Sequence, residues 1–169
     1  MTALPLADAF RHHVWATVTL IDACLPLSDE QLQVPAPGTY GAILDTMRHL
    51  VEADAAYLWV LTGGRRTEIP EGQLGLAELR TEMLANDDAW AELLASQPDP
   101  DAIVVRHRDD GTDSHAPMSI RLAQALHHGS DHRSQICTAL TNLGTEPPDI
   151  DVWAFGRHAG RVFVTESAG

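Results

Sequence analysis

The chain has 169 residues, 44% of them hydrophobic, which suits one domain with a sizeable core of its own. A formal net charge of −13 argues against nucleic acid as a partner and disfavours anionic membrane surfaces, whose phosphates it would repel at long range. All eleven basic residues are arginine, so catalysis by a lysine, through a Schiff base or otherwise, is excluded.

No apolar run approaches the roughly 18 residues of a membrane span; the longest, Ala55–Leu61, is a buried helix face at most. The first residues lack a basic stretch followed by an apolar core, so no secretory signal is expected. Cys24 and Cys137 both lie among apolar helical residues and read as two buried free thiols of a cytoplasmic protein.

Taken in order, residues 6–26 form a first helix. Leu6, Phe10, Val14, Val18, Ile21 and Leu25 recur at three- and four-residue intervals as one buried stripe, and Pro26 ends it. Ser28-Asp29-Glu30-Gln31 has the form of a capping box on a short turn, and residues 34–38 are a connector. Thr39 is the expected N-cap of a second helix over 40–62, with Ile43, Met47, Leu50, Tyr57 and Leu61 on one face and Gly63-Gly64 as its stop. Residues 65–75 are polar and read as a loop. A third helix over 76–96 carries Leu76, Leu79, Met83, Trp90 and Leu94 along its seam.

Between Asp101 and Pro117 the pattern changes. Ala102-Ile103-Val104-Val105 is short and β-branched and Asp110-Gly111 is a hairpin-type turn, which predicts a small β-hairpin. Ser119 is the expected cap of a fourth long helix over 120–143, closed by Gly144 and Pro147-Pro148, and a short last helix follows near 150–159. The fold class is therefore all-α: a single-domain four-helix bundle over 1–169 with a minor hairpin between the third and fourth long helices. Such bundles build metal sites from side chains on facing helices.

His128 and His132 stand at i and i+4 on the fourth long helix, near enough for two imidazoles to share one ion. At 100° per residue, the apolar centre of that helix lies about 100° from His128, which places both histidines at the edge of the face, towards a crevice. His127 falls about 100° the other way, on the polar side, and is expected to be solvated. On the second helix His49 borders the apolar stripe in the same manner, with Ile43, Leu50 and Leu61 about 100–120° away. His49 is thus the third candidate ligand. His12, His13, His107, His115 and His158 have no comparable spacing and default to surface or capping roles.

These residues carry a resemblance. Asp45–Ala53 around His49, and His128-Gly129-Ser130-Asp131-His132-Arg133-Ser134-Gln135-Ile136 with its H-R-x-Q ending, resemble the two metal-binding motifs of the DinB/YfiT-like four-helix bundles. The resemblance covers nearly the whole chain, and the hairpin position agrees. One departure is Asp131, where many members carry another histidine. The resemblance implies a divalent metal, zinc or nickel, held by three neutral imidazoles with positions left for water or substrate; the ligand set does not choose between the metals. It also implies, from some members, a low-molecular-weight thiol such as mycothiol or bacillithiol as co-substrate.

A metal centre of this kind favours deprotonation of a water or a thiol, which suits thiol transfer to, or hydrolysis of, a small electrophilic substrate. Glu52, one turn beyond His49, is the candidate base, weighed against a solvated helix-face glutamate, and Gln135 is a candidate to orient a ligand. Asp54 lies inside the apolar stripe of the second helix, where a lone carboxylate is costly, and is expected to pair with an arginine or histidine from a neighbouring helix such as His13. The competing reading is a non-catalytic bundle that binds metal or a small ligand in a stress response. A homodimer fits either reading.

Overall fold

Four long amphipathic stretches cannot bury their apolar faces singly, and here they bury them against one another. The computed structural model describes residues 6–67 and 69–165. Its elements are α1 (Ala7–Cys24), a single turn α2 (Asp29–Leu32), α3 (Ile43–Thr62), α4 (Leu76–Ala95), a hairpin of β1 (Ile103–His107) and β2 (Asp113–Pro117), α5 (Met118–Asn142) and α6 (Val152–His158). α1 packs against α4 and α5, and α3 packs against the same two helices. Consecutive helices α1 and α3 therefore occupy opposite corners, as do α4 and α5. Each diagonal crossing is made by a long connection, one containing α2 and the other containing the hairpin.

Phe10, Leu20 and Ile21 from α1 meet Met47, Leu50 and Leu58 from α3, Leu79, Met83 and Trp90 from α4, and Ile136 and Leu140 from α5 in one buried core. At its centre Phe10 and Trp90 pack with ring centroids 4.4 Å apart, an aromatic contact that adds to their buried area. No helix among the described residues is long and apolar enough to cross a membrane.

Most predicted elements form where the sequence places them. Ser28 and Gln31 make both hydrogen bonds of the capping box, at 2.9 and 3.3 Å. Gly63 closes α3 in the left-handed conformation at φ 65°, which glycine adopts without steric cost. The hairpin pairs Ile103 with Pro117 through His107 with Asp113, and Gly111 turns it.

Several boundaries differ. Leu6 and Leu25 lie just outside α1 and are about half exposed, so the buried stripe is shorter than its periodicity suggested. Thr39 does not cap α3: its hydroxyl donates to the carbonyls of Ala36 and Gly41, holding a bend, and the helix starts at Ile43 after Ala42. Pro35 and Ala42 form an isolated β-bridge that closes this bend. Ser119 is inside α5, whose N-cap is Pro117, and its N–H donates to the Pro100 carbonyl. Cys24 is buried as expected, whereas Cys137 is only half-buried; both are free thiols.

Candidate metal centre

The bend at residues 39–42 and the facing surfaces of α3 and α5 build one corner of the bundle. His49 comes from the second turn of α3, and His128 and His132 come from the middle of α5. Their ligand nitrogens all lie within 4.8 Å of one another. The Nε2 atoms of His49 and His128 face each other at 3.1 Å, and the ring centroids of His128 and His132 are 4.4 Å apart. Imidazole nitrogens bound to one zinc at about 2.0–2.1 Å stand roughly 3 Å from each other, so this donor set fits a shared divalent ion with small ring movements.

The protein fixes how these rings are presented. His132 is 7% exposed, deeper than the crevice-edge position expected for it. Its Nδ1–H donates to Gln135 Oε1 at 3.3 Å, which leaves Nε2 with its lone pair for the centre. Gln135 is itself oriented: Oε1 also accepts the Tyr40 backbone N–H at 2.8 Å, and Nε2 donates to Asp131 Oδ2 at 3.1 Å. Asp131, the departure from the family motif, thus secures the amide that secures the ligand. Tyr40 stacks on His49 with centroids 4.2 Å apart and stands edge-on to His132. Tyr57 stands edge-on to His128.

Burial lowers the pKa of His49, and the neighbouring His132 lowers it further against the pull of Glu71. For His128, burial first and then the adjacent His132 and His49 push the value down to about 4. His128 is therefore neutral near pH 7, the form that binds a metal ion.

His49 and His128 line a cleft of about 730 Å³, together with Tyr40, Tyr57, Arg48, Arg106 and the carboxylates of Asp45, Glu52, Glu71 and Asp109. Glu52 Oε1 accepts the Gly72 backbone N–H at 2.8 Å, tying the 65–75 loop to α3 beside the centre. Arg48 donates from Nε to the Leu74 carbonyl at 2.8 Å and pins the same loop.

The other histidines separate cleanly. His127, His115 and His158 are exposed, and His107 pairs with Asp113 on the hairpin surface. His12 lies half-buried with Nε2 2.8 Å from the Ile150 carbonyl. His13 corrects its surface assignment, being 1% exposed. Its Nε2–H donates to Asp54 Oδ1 at 2.9 Å, the pairing expected for that carboxylate. The Asp54 carboxylate also accepts from Asn86 Nδ2 and Trp90 Nε1, so it is buried with every oxygen engaged. On the far side of the ring, His13 Nδ1 accepts from Arg133 Nη1 at 3.0 Å, which makes His13 a neutral ring held from both ends.

Arg133 escaped the spacing argument although a signal existed. It stands about 140° from His128, inside the apolar stripe, the same anomaly that singled out Asp54. It is 4% exposed, and burial lowers its pKa to about 10 against the raising effect of Asp54. Tyr40 had no such signal, because a tertiary bend and not a helical period brings it over His49.

A family model described as the DinB family matches residues 2–165, nearly the whole chain. No curated protein matches it.

Proposed function

The chain belongs to the DinB family, and from that membership we propose that it is a divalent-metal-dependent enzyme acting on a small electrophilic substrate, by thiol transfer or by hydrolysis. The observation that carries this reading is the convergence of three imidazoles, with ligand nitrogens within 4.8 Å, two of them in the wall of a 730 Å³ cleft. A cleft of that size suits a small molecule.

His49, His128 and His132 would hold zinc or nickel, and when bound the ion supplies Lewis acidity that favours the deprotonated form of a water or a thiol. Gln135 keeps the proton of His132 on Nδ1, so that Nε2 stays a donor to the centre. Tyr40 stacks on one face of His49 and would hold the orientation of that ring. Glu52 Oε2 has no hydrogen-bond partner among the described residues, while Oε1 is anchored by Gly72. That free oxygen is the atom assigned to take a proton from the incoming nucleophile, with the anchor holding the carboxylate at the cleft wall. Arg48 and Arg106 stand in the same wall and would orient an anionic part of the substrate.

Metal content measured by mass spectrometry after loading with zinc or nickel tests the first half: about one ion per chain in the native protein and none in His132→Ala. A native protein that takes up neither metal ends this reading. Turnover of small electrophiles with and without added thiols tests the second half. A rate that needs thiol identifies transfer, and a rate without thiol identifies hydrolysis. Glu52→Gln should lower either by roughly 10²–10⁴-fold while keeping the metal. Metal uptake with no rate above His132→Ala would instead identify a non-catalytic metal-binding bundle.

A further inference from the structure

A second cleft, of about 520 Å³, opens between α1, α5 and α6 and shares no lining residue with the three-histidine cleft. Its walls are largely apolar, with Leu126, Val152, Trp153, Phe155 and Val162 among them. Trp153 and Val152 are 66% and 62% exposed, an unusual cost for large apolar side chains on a short helix. Arg133 and His13, both almost wholly buried, line the same cleft.

The guanidinium of Arg133 is incompletely compensated. Nη1 donates to His13 Nδ1, the His13 carbonyl and Thr17 Oγ1, and Nη2 donates once, to Ser130 Oγ. Nε and Nη2 make the edge that forms a side-on fork for a carboxylate; among the described residues Nε has no partner and Nη2 has only Ser130. No carboxylate of the described residues lies within ion-pair distance of Arg133, and Asp54 is reached only through the neutral His13 ring. A buried cation with spare donors in an apolar cleft is a site for an anion that carries an apolar body. At the rim, Asp8 and Arg161 neutralise each other at 2.8 Å, so Asp8 is not a competing partner for Arg133.

We propose that this cleft is a ligand site, separate from the metal centre, for a small organic monocarboxylate whose carboxylate pairs with Arg133 and whose aliphatic or aromatic body packs on Trp153, Phe155 and Leu126. The proposal does not depend on the catalytic reading of the first cleft.

Calorimetric titration with decanoate and with 1-naphthoate, each against its corresponding alcohol, tests it and distinguishes an aliphatic from an aromatic body. One carboxylate should bind saturably, one per chain, with a quench of tryptophan fluorescence and at least tenfold more tightly than its alcohol. His132→Ala should leave that binding unchanged. Trp153→Ala, at an exposed position, should weaken it at least tenfold with the far-ultraviolet dichroism intact, and Arg133→Gln should abolish the preference for acid over alcohol. If Arg133→Gln fails to fold, the acid–alcohol comparison and Trp153→Ala decide. Equal binding of acid and alcohol, binding lost in His132→Ala but kept in Trp153→Ala, or no saturable binding of either acid overturns the proposal. So does a dimer that dissociates in Trp153→Ala and binds neither acid.

Discussion

His13 on α1 and the three histidines that α3 and α5 bring to one corner are treated oppositely. His13, in the middle of the bundle, has both ring nitrogens engaged, one by Asp54 and one by Arg133. At the corner, His49 and His128 turn Nε2 atoms towards each other at 3.1 Å and burial holds their pKa down. Two neutral rings in that arrangement hold at most one proton between the facing nitrogens, and a cation that displaced it would take up both lone pairs. A histidine whose bonds are complete is part of the scaffold, and one left with a lone pair directed at its neighbours is suited to a cation. The contrast lies in hydrogen-bond completion and not in burial alone, since His132 at 7% exposure is nearly as hidden as His13.

The sharpest way to break this comparison is to delete the scaffold's acceptor. Asp54→Ala orphans donors on His13, Asn86 and Trp90 at once and should cost about 3–5 kcal/mol in urea denaturation. His128→Ala should change the metal-free stability by less than about 1 kcal/mol. If the two losses are similar, the division between scaffold and site is wrong.

Metal should act on the corner only. A divalent ion at 100 times its Kd should stabilise the native protein by about 2.7 kcal/mol in scanning calorimetry. His132→Ala should remove that gain entirely, because it removes one of the three donors.

Gly129 lies between the two groups. A Cβ there would stand 2.3 Å from His13 Cε1 and 2.9 Å from Arg133 Nη1. Replacing a mid-helix glycine by alanine ordinarily stabilises by up to about 1 kcal/mol. Here Gly129→Ala should destabilise by about 1–3 kcal/mol, seen as a lower Tm, because the added methyl must displace a buried and hydrogen-bonded ring.

The last effect is on pH. The His128 pKa falls from the ordinary 6.5 to about 4 on folding, so the unfolded chain takes the proton more readily. Metal-free stability should therefore be complete above about pH 6.5 and decline as pH falls towards 4. His128→Ala should flatten that part of the profile in denaturant titrations at successive pH values, and an unchanged slope would show that the corner is not where the acid sensitivity arises.

Much of the architecture was legible because it is local. The three- and four-residue spacing of Leu76, Leu79, Met83, Trp90 and Leu94 marks α4, and all five are buried. Helical phase set His127 apart from His128 and His132 and placed Asp54 in an apolar face. The helix starts were less legible. Thr39 and Ser119 have the chemistry of caps, but the Thr39 hydroxyl is committed to Ala36 and Gly41, and α5 already begins at Met118, ahead of Ser119. A cap depends on competition among nearby partners, and spacing does not record who wins it.

What the sequence determined by itself is the set of helices, the faces they bury, and the choice of the three histidines beside those faces, because each follows from a rotation of 100° per residue. Tertiary structure alone decided the partners. It seated Tyr40 over His49 through a bend, engaged Glu52 with Gly72, set Gln135 between His132 and Asp131, and drew His13 between Asp54 and Arg133. These contacts join residues up to 120 positions apart. They exist because long connections put α1 and α3 at opposite corners with α4 and α5 between them, an arrangement that no local period encodes.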